Sequence, residues 1–502
     1  MNNSIKRYLS PVRNMHFSEW IFILLFLYFL SIVVLNIFSY SIDIGGIEFA
    51  FLNYIQLLDK NGHLYLNPDA YPFFDIIYPP LHSYTLKYLL SILQINPQEN
   101  IHEALIVGRL ISFILGIING YILIRIIKLL ISENKNKILL LLIGILLLPQ
   151  HFFTFRPDSF KVSFFILFLY FTISYEFKSR KYKHLIIGTV CSSIGVFFKH
   201  DLAIYIIIYY LISYLILRQR SYLIALMLFI LVLVIIFLAG YYSTNGLILN
   251  NIFLYNLQYS SSPGFSLFFI GINSLKMLPF LIICYYNIRS SDKATKLLSI
   301  IGFIFFIVSE LTLLRAGSNL NYTYESIILM LINTGIFLKD RKSIKSRYYR
   351  LILVFYLPIF CFHFQNPTVF NKSIIKSEKI DYQKNIKTSK VLSAIIKQDT
   401  VFFSNPKYII FNNQLNKVYG YDLHFDRYAE LYLQIPVDLK TYNNNSIKAY
   451  DNYFKAGRVK YIVIEDDSIA KKQIGKFYTD YTFFKKTENL LLYKFNTTNT
   501  PI

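Results

Sequence analysis

Long apolar runs alternate with short polar stretches along most of the chain. The runs approach the roughly 20 apolar residues that a helix needs to cross hydrocarbon. They lie near positions 19–40, 104–131, 137–150, 159–175, 184–198, 201–217, 221–242, 266–288, 297–314, 324–338 and 350–364. The pattern predicts a multi-span α-helical membrane protein with about eleven transmembrane helices.

The short loops between these runs alternate in charge. Lys and Arg are concentrated in every second loop, at positions 6–13, 125–137, 177–183, 218–220, 289–296 and 339–350. Because loops rich in Lys and Arg stay on the cytoplasmic side, the alternation predicts a cytoplasmic N-terminus and an extracytoplasmic C-terminus.

Two longer segments fall outside the apolar runs. The first is an outside loop over residues 42–101, where "EFAFLNYIQLLDKNG" has apolar residues at helical spacing and predicts a helix at the interface. The second is the tail, where helix-like pieces such as "KTSKVLSAIIK" alternate with strand-like pieces such as "KYIVIEDD" and "LLLYKF". The predicted organisation is a transmembrane domain over residues 1–365 and a small extracytoplasmic α/β domain over residues 366–502.

The composition favours a membrane protein and argues against a nucleic-acid partner. Of the 502 residues, 55% are hydrophobic and 16% are charged, whereas soluble proteins carry about 25% charged residues. The formal charge of +22 comes from Lys and Arg clusters between apolar runs, where they encode topology. Cys191, Cys284 and Cys361 lie in apolar runs without a CxxC spacing, so a structural role is predicted for them.

Polar residues of the outside loops are predicted to converge on one face of the membrane. They are Asp43, Glu48, Asp69, Asp75, Tyr78, His82, Arg109, Arg156, Asp158, Lys199, His200, Asp201, Arg315, Asn319, Asn321 and Tyr322. Ionisable residues at a membrane are costly and often functional, although any one of these can also be a solvated loop residue. The combination suits glycosyl transfer from a lipid phosphate. A carboxylate takes the proton of the acceptor hydroxyl, and Arg or Lys stabilises the charge that builds up on the departing phosphate.

Six motifs follow one another in an order typical of one enzyme class. They are "GGIEFA" followed by "NGHLY", "YPFFDIIYPPLHSY", "VGRLISFILG", "FRPD", "FFKHD" and "RAGSNLNYTYE". In this order the sequence resembles the GT-C class of polytopic glycosyltransferases, especially the bacterial relatives of the protein O-mannosyltransferases and of the lipid A aminoarabinose transferase. The resemblance covers most of residues 1–340.

The resemblance implies a reaction, a donor and a compartment. The donor would be a polyprenyl-phosphate-linked sugar at the outer face of the plasma (inner) membrane of a bacterium. The acceptor would be a glycan, a lipid or a protein, and transfer would invert the anomeric carbon. Such enzymes place a catalytic Asp or Glu in the first outside loop. Counted from "NGHLY", Glu48 stands at that position, with Asp43 as second candidate. The family often has an adjacent Asp-Glu pair, whereas "IGGI" separates the two residues here, and Glu48 could instead be a solvated or helix-capping charge.

Cations of the outside loops are the predicted partners of the donor phosphate. Arg156 and Lys199 are the first choices, followed by Arg315 and Arg109, because Arg offers a planar fork and Lys a mobile point charge. The alternatives are an ion pair of Arg156 with Asp158 and snorkelling of Lys199. The remaining predicted substrate-binding residues are Asp158, as a brace for Arg156, and Tyr78, His82 and Tyr322. A divalent cation with oxygen ligands stays open, but no spacing demands one and no metal residues are predicted.

Other functions also remain open at this point. A carrier or flippase for lipid-linked glycans would have repeat symmetry and charges at mid-membrane depth. A polysaccharide polymerase or ligase would share the compartment and the lipid donor. A tail that binds a partner or grips the acceptor is compatible with either.

Overall fold

The computed structural model describes residues 17–40, 47–67, 76, 78–130, 144, 154–254, 263–314, 320–340, 351–352, 372–403, 410–412, 415–418, 452–465, 479–488 and 490–496. Helices account for most of this part of the chain. They are α1 (Phe17–Ile37), α2 (Ile47–Asn61), α3 (Leu81–Ile92), α4 (Ile101–Leu130), α5 (Asp158–Ser174), α6 (Tyr182–Phe198), α7 (Leu202–Leu217), α8 (Arg220–Ser243), α9 (Pro263–Ile288), α10 (Lys293–Leu313), α11 (Tyr324–Asp340) and α12 (Lys372–Ile396).

Five of the described helices are long and apolar enough to cross a membrane. The candidate spans are Trp20–Ile37, Ile101–Leu130, Asp158–Ser179, Arg220–Ser243 and Lys293–Leu313. Helices α6 and α7 are also apolar but contain only 17 and 16 residues. The multi-span helical class predicted from the sequence is therefore confirmed, while the number of eleven spans and their orientation stay predictions. The predicted runs 137–150 and 350–364 lie almost entirely outside the described residues.

The chain divides into two compact units. The first contains residues 1–38, 109–236 and 261–371, and the second contains residues 39–108, 237–260 and 372–502. Aromatic side chains of α5, α7 and α10, among them Phe168, Tyr209 and Phe305, form much of the buried core of the first unit. A Cβ at Gly195 would lie 2.9 Å from Cβ of Phe164, so glycine permits the close approach of α6 to α5.

The second unit contains the first outside loop predicted from the sequence. The spacing of Leu52, Ile55 and Leu58 predicts a helix, and all three are buried in α2, as is every residue from Phe51 to Leu58. The helix ends at Gly62, whose φ of +75° suits a residue without a Cβ. Further on, α3 begins directly after Pro80, consistent with the helix-starting preference of proline.

The tail of the second unit contains a five-stranded sheet. Its strands are β1 (Thr400–Phe403), β2 (Asn416–Val418), β3 (Tyr461–Glu465), β4 (Tyr481–Thr487) and β5 (Leu490–Phe495). They are arranged in the order β2-β1-β3-β5-β4. Strand β1 pairs in parallel with β2 and β3, and β5 pairs antiparallel with β3 and β4. Helix α12 precedes this mixed sheet, so the tail has an α/β composition.

Candidate active site

A network of buried charges joins the ends of several helices in the first unit. Asp158 is the first residue of α5, Lys161 lies one turn further, and Glu325 lies in the first turn of α11. Lys199 and Asp201 belong to the turn between α6 and α7. The side chains of Lys161 and Glu325 have no exposed surface, and that of Asp201 is the most accessible at 13%.

Lys199 lies at the centre of this network. Its Nζ donates a 2.8 Å hydrogen bond to Oδ1 of Asp158 and lies 3.8 Å from Oδ2 of Asp201. The same ammonium stands 4.2 Å from the centre of the Tyr322 ring, within cation–π range. Asn321 donates a further 3.2 Å hydrogen bond from Nδ2 to Oδ1 of Asp158. Lys199 is thus fixed by two carboxylates and one aromatic face.

Lys161 extends the network to α11. Its Nζ lies 3.1 Å from Oδ2 of Asp201 and 2.8 Å from Oε1 of Glu325. Negative and positive groups therefore alternate along one line, in the order Asp158, Lys199, Asp201, Lys161 and Glu325. Alternation is required here, because the desolvation of an unpaired buried charge would cost several kcal/mol.

Arg156 adds a third cation beside this line. The residue is buried, and its charge acts on the carboxylate of Asp158. The cluster therefore contains the three carboxylates of Asp158, Asp201 and Glu325 and the three cations Lys161, Lys199 and Arg156. Its formal charges sum to zero.

The local backbone explains how Lys199 and Asp201 come together. Lys199 ends α6 in an extended conformation, with φ of −156° and ψ of 118°. Its N–H still donates to the carbonyl of Gly195, and its own carbonyl accepts from the N–H of Leu202 at the start of α7. Because the chain reverses within three residues, both side chains are presented at the same end of this helix pair.

The network also holds Lys199 and Asp201 in their charged forms. Burial alone would lower the pKa of Lys199, but the carboxylates of Asp158 and Asp201 outweigh it and raise the pKa above its ordinary range. For Asp201, burial alone would raise the pKa, but Lys161 and Lys199 outweigh it and lower the value. At neutral pH, Lys199 is therefore a cation and Asp201 an anion.

Several buried oxygens of the cluster retain hydrogen-bonding capacity. Among the described residues, Oδ1 of Asp201 and Oδ1 of Asn321 have no hydrogen-bond partner. Both could accept hydrogen bonds from hydroxyl groups of a sugar. In the described part of the chain, no group of three or more His, Cys, Asp or Glu side chains is placed to hold a metal ion. A divalent cation stays an open prediction.

The predicted residues of the second unit pack around Phe51 of α2. Glu48 lies in the first turn of this helix and is fully buried. Three residues further on the helix, the Phe51 ring lies 4.8 Å from the rings of both Tyr78 and His82. Residues three apart are neighbours on a helix surface, so Tyr78 and His82 border the face that carries Glu48. Asp43 lies outside the described residues.

Arg109 has a structural contact that the sequence did not suggest. Its Nη1 donates a 3.1 Å hydrogen bond to the carbonyl of Asn36, in the last turn of α1. Cations are favourable at helix C-termini, where carbonyl groups lack intrahelical partners. Arg109 therefore stabilises the end of α1, and its predicted contact with phosphate stays a prediction.

Part of the predicted site is brought together, and part of the observed cluster was not predicted. Asp158, Lys199 and Tyr322 lie in one cluster, whereas Arg315 is outside the described residues. Asp158 was expected to brace Arg156, but its hydrogen-bonding partners are Lys199 and Asn321. Lys161 and Glu325 were missed. The signal that could have found them is an ionisable residue within or at the edge of an apolar run.

Comparisons with known proteins show a family model that is similar to part of the chain and solved structures that share its fold. Residues 78–241 match the family model of dolichyl-phosphate-mannose-protein mannosyltransferases. No curated protein sequence is similar enough to count as a match.

Solved structures share the fold over nearly the whole chain. ArnT from Cupriavidus metallidurans in the apo state is 11% identical, with a TM-score of 0.62 over 96% of this chain and 99% of that one. The same protein bound to undecaprenyl phosphate is 11% identical, with a TM-score of 0.60 over the same shares. The oligosaccharyltransferase AglB from Archaeoglobus fulgidus, in complex with an inhibitory peptide and a dolichol-phosphate, is 10% identical. Its TM-score is 0.50 over 97% of this chain and 76% of that one. The family-model match and the shared fold confirm the resemblance found in the sequence motifs.

Proposed function

We propose that this chain is a polytopic glycosyltransferase of the GT-C class and that it transfers a sugar from a polyprenyl-phosphate donor to a hydroxyl group of a glycan, lipid or protein. Transfer inverts the anomeric carbon and takes place at the outer face of a bacterial plasma membrane. The donor class is supported by the two comparison structures that contain undecaprenyl phosphate and dolichol-phosphate.

The observation that carries the proposal is the fixed, charged Lys199. This lysine is nearly inaccessible to water, and two carboxylates and the Tyr322 ring hold its ammonium in place. In the proposed complex, Lys199 and Arg156 bind the phosphate of the donor. When the glycosidic bond breaks, they stabilise the additional charge on the leaving phosphate. Their positions are set in advance, so little reorganisation is needed during the reaction.

The carboxylate that activates the acceptor is assigned to Glu48, with Asp43 as second candidate. The acceptor oxygen attacks the anomeric carbon from the face opposite the phosphate. The bond between that carbon and the phosphate oxygen breaks, and polyprenyl phosphate leaves. The carboxylate takes the proton of the acceptor hydroxyl. One displacement without a covalent intermediate inverts the configuration.

The remaining predicted residues are assigned supporting roles. Tyr78 and His82, which border the Glu48 face of α2, position the acceptor or the sugar. Asp158 and Tyr322 hold Lys199, while Arg109 and Arg315 provide further positive charge for the donor. The loops that carry these residues and the C-terminal α/β domain lie on the extracytoplasmic side.

A donor panel tests this proposal. The purified full-length protein is incubated in lipid nanodiscs with a series of polyprenyl-phosphate sugars and candidate acceptors, and products are identified by mass spectrometry. Transfer of a single sugar with release of polyprenyl phosphate is expected, and the double variant Asp43→Asn/Glu48→Gln should abolish it. Movement of labelled lipid across vesicles without transfer would instead establish a carrier, and products of many lengths would establish a polymerase.

A further inference from the structure

An apolar cavity of about 440 Å³ lies within the first unit. Its walls are formed by α1, α4, α5 and α11, with side chains such as Phe29, Phe113, Val162 and Leu331. The volume falls within the range typical of sites for small molecules. In a protein that spans a membrane, hydrocarbon is the occupant that such apolar walls favour.

One polar side chain interrupts the apolar lining. Asn119 of α4 lines the cavity and is only 3% exposed. Among the described residues, neither its amide nitrogen nor its amide oxygen has a hydrogen-bond partner. Buried amide groups are almost always hydrogen-bonded in native proteins. The occupant is therefore expected to carry a hydrogen-bonding group as well as hydrocarbon.

An anchored cation lies on the same helix as Asn119. Tyr121 lines the cavity and is 60% exposed. One turn further, Nη1 of Arg125 lies 3.4 Å from the Tyr121 hydroxyl, and the side chain also bonds to Tyr170 of α5. Arg125 follows Asn119 by six residues, which corresponds to about 9 Å along the helix. Helix α4 therefore carries an amide within the lining of the apolar cavity and a cation directly after its last residue in that lining, Ile124.

From this sequence of groups, we propose that the cavity binds one acyl chain of a membrane phospholipid. The phosphate of the lipid contacts Arg125, a glycerol ester carbonyl accepts a hydrogen bond from Asn119, and the acyl chain fills the cavity. Arg binds phosphate oxygens well, and basic residues at a membrane surface attract anionic lipids. A polyprenyl chain fits less well, because it offers no hydrogen-bonding group to Asn119.

This site is separate from the proposed donor site. Tyr170, which contacts Arg125, follows Asp158 by twelve residues, or about 18 Å along α5. The two phosphate-binding positions thus lie toward opposite ends of this helix. The charge pattern predicts that the Arg125 end is cytoplasmic, so the lipid would come from the leaflet opposite the donor. Lipid binding at this site does not depend on the glycosyl-transfer reaction.

Photolabelling tests the proposal without an activity assay. The full-length protein is reconstituted with phosphatidylglycerol that carries a diazirine in one acyl chain, and labelled residues are mapped by mass spectrometry. Label is expected on residues that line the cavity. Gly120→Leu, which fills the cavity, should lower this labelling by about tenfold. The matched control is Gly271→Leu, since a side chain there meets no atom within 4 Å, and it should leave the labelling unchanged.

Two further variants test the proposed contact between Arg125 and the lipid phosphate. Arg125→Ala should lower the labelling by about fivefold, the effect expected of one basic residue near an anionic surface. Lys128→Ala removes another exposed cation of α4 that does not line the cavity and should have little effect.

Three outcomes would overturn the proposal. In the first, Gly120→Leu and Gly271→Leu are labelled equally. In the second, the label lies on outward-facing residues such as Ile114 instead of the cavity. In the third, polyprenyl phosphate displaces the label from the wild-type protein and unlabelled phosphatidylglycerol does not, which would make the cavity a polyprenyl site. The competition uses only the wild-type chain and therefore decides the question even if Gly120→Leu does not fold.

Discussion

Nζ of Lys199 lies 2.8 Å from Oδ1 of Asp158, and both side chains are almost completely buried. The two residues are 41 positions apart in the sequence and meet because α6 packs against α5 and ends next to Lys199, close to the start of α5. Neither charge has water available as a substitute for its partner. The pair therefore behaves as a unit in which removal of one member harms the other.

A double-mutant cycle tests this coupling. Lys199→Met leaves a buried carboxylate with less compensation and should lower the free energy of unfolding by about 3–5 kcal/mol. Asp158→Asn/Lys199→Met removes both charges and should recover most of the loss, as measured by thermal unfolding in detergent. Asp158→Asn alone completes the cycle, and a loss in the double variant equal to the sum of the two single losses would show that the pair is not coupled.

Lys161 should be structural rather than a phosphate ligand. It has no exposed surface and already bridges Asp201 and Glu325. Lys161→Met should cost about 3–5 kcal/mol, because two carboxylates lose their partner. The matched control Lys128→Met changes an exposed lysine and should stay within about 0.5 kcal/mol. If Lys161→Met is as stable as the control, the network does not depend on this residue.

The pH dependence of the cluster follows from the two pKa directions. The pKa of Lys199 is raised in the folded chain. The stability that Lys199 contributes is therefore fully present below its pKa in the unfolded chain, near 10.4, and is lost as the pH rises through its pKa in the folded chain. The pKa of Asp201 is lowered, so its contribution is complete above the unfolded value near 3.9 and is lost at lower pH. The difference in melting temperature between the wild type and Lys199→Met should therefore be constant from about pH 5 to pH 9. A change in that difference near neutral pH would mean that one of the two groups titrates there.

Lys417, in β2, has a lowered pKa and should therefore affect stability with pH in the opposite way to Lys199. Burial, together with the charge of Lys60, lowers its pKa to about 7, whereas the unfolded value is near 10.4. Between these values the unfolded chain binds more protons, so the penalty for folding declines as the pH rises. Lys417→Met should therefore stabilise the sheet most below pH 7, with a gain that shrinks toward pH 10.

Hydrogen-exchange protection factors of β1, which pairs with β2, measure this gain at each pH. Lys455→Met, a substitution at an exposed lysine of the same domain, serves as control and should show no trend. A gain that is equal at pH 6 and pH 9 would contradict the lowered pKa.

Much of the helical framework could be predicted because it depends on local signals. The run predicted at 159–175 corresponds to α5, which begins at Asp158, and the apolar spacing around Leu52 corresponds to α2. Hydrophobic length and periodicity are properties of neighbouring residues, so one sequence suffices to find them. Helix α3, which begins directly after Pro80, was not predicted, although proline restricts its own and the preceding backbone.

The partners within the cluster could not be predicted in this way. Lys161 and Glu325 form an ion pair although they are 164 positions apart in the sequence, and no local pattern relates them. Asp158 stands two residues after Arg156, whose charge acts on it, but the long-range partners Lys199 and Asn321, which donate hydrogen bonds to it, were not predicted. Tertiary packing decides between such alternatives, since each buried charge takes the partner that the packed helices bring within reach.

The sugar-transfer rate of carboxylate variants tests the central claim most directly. With the donor that the panel identifies, initial rates are compared for the wild type, Glu48→Gln, Asp43→Asn and the control Asp59→Asn, a substitution at an exposed carboxylate of α2. Loss of the general base should lower the rate by about 10²- to 10⁴-fold in Glu48→Gln, or in Asp43→Asn if that residue is the base, while Asp59→Asn stays active. Wild-type rates in both Glu48→Gln and Asp43→Asn would contradict the account.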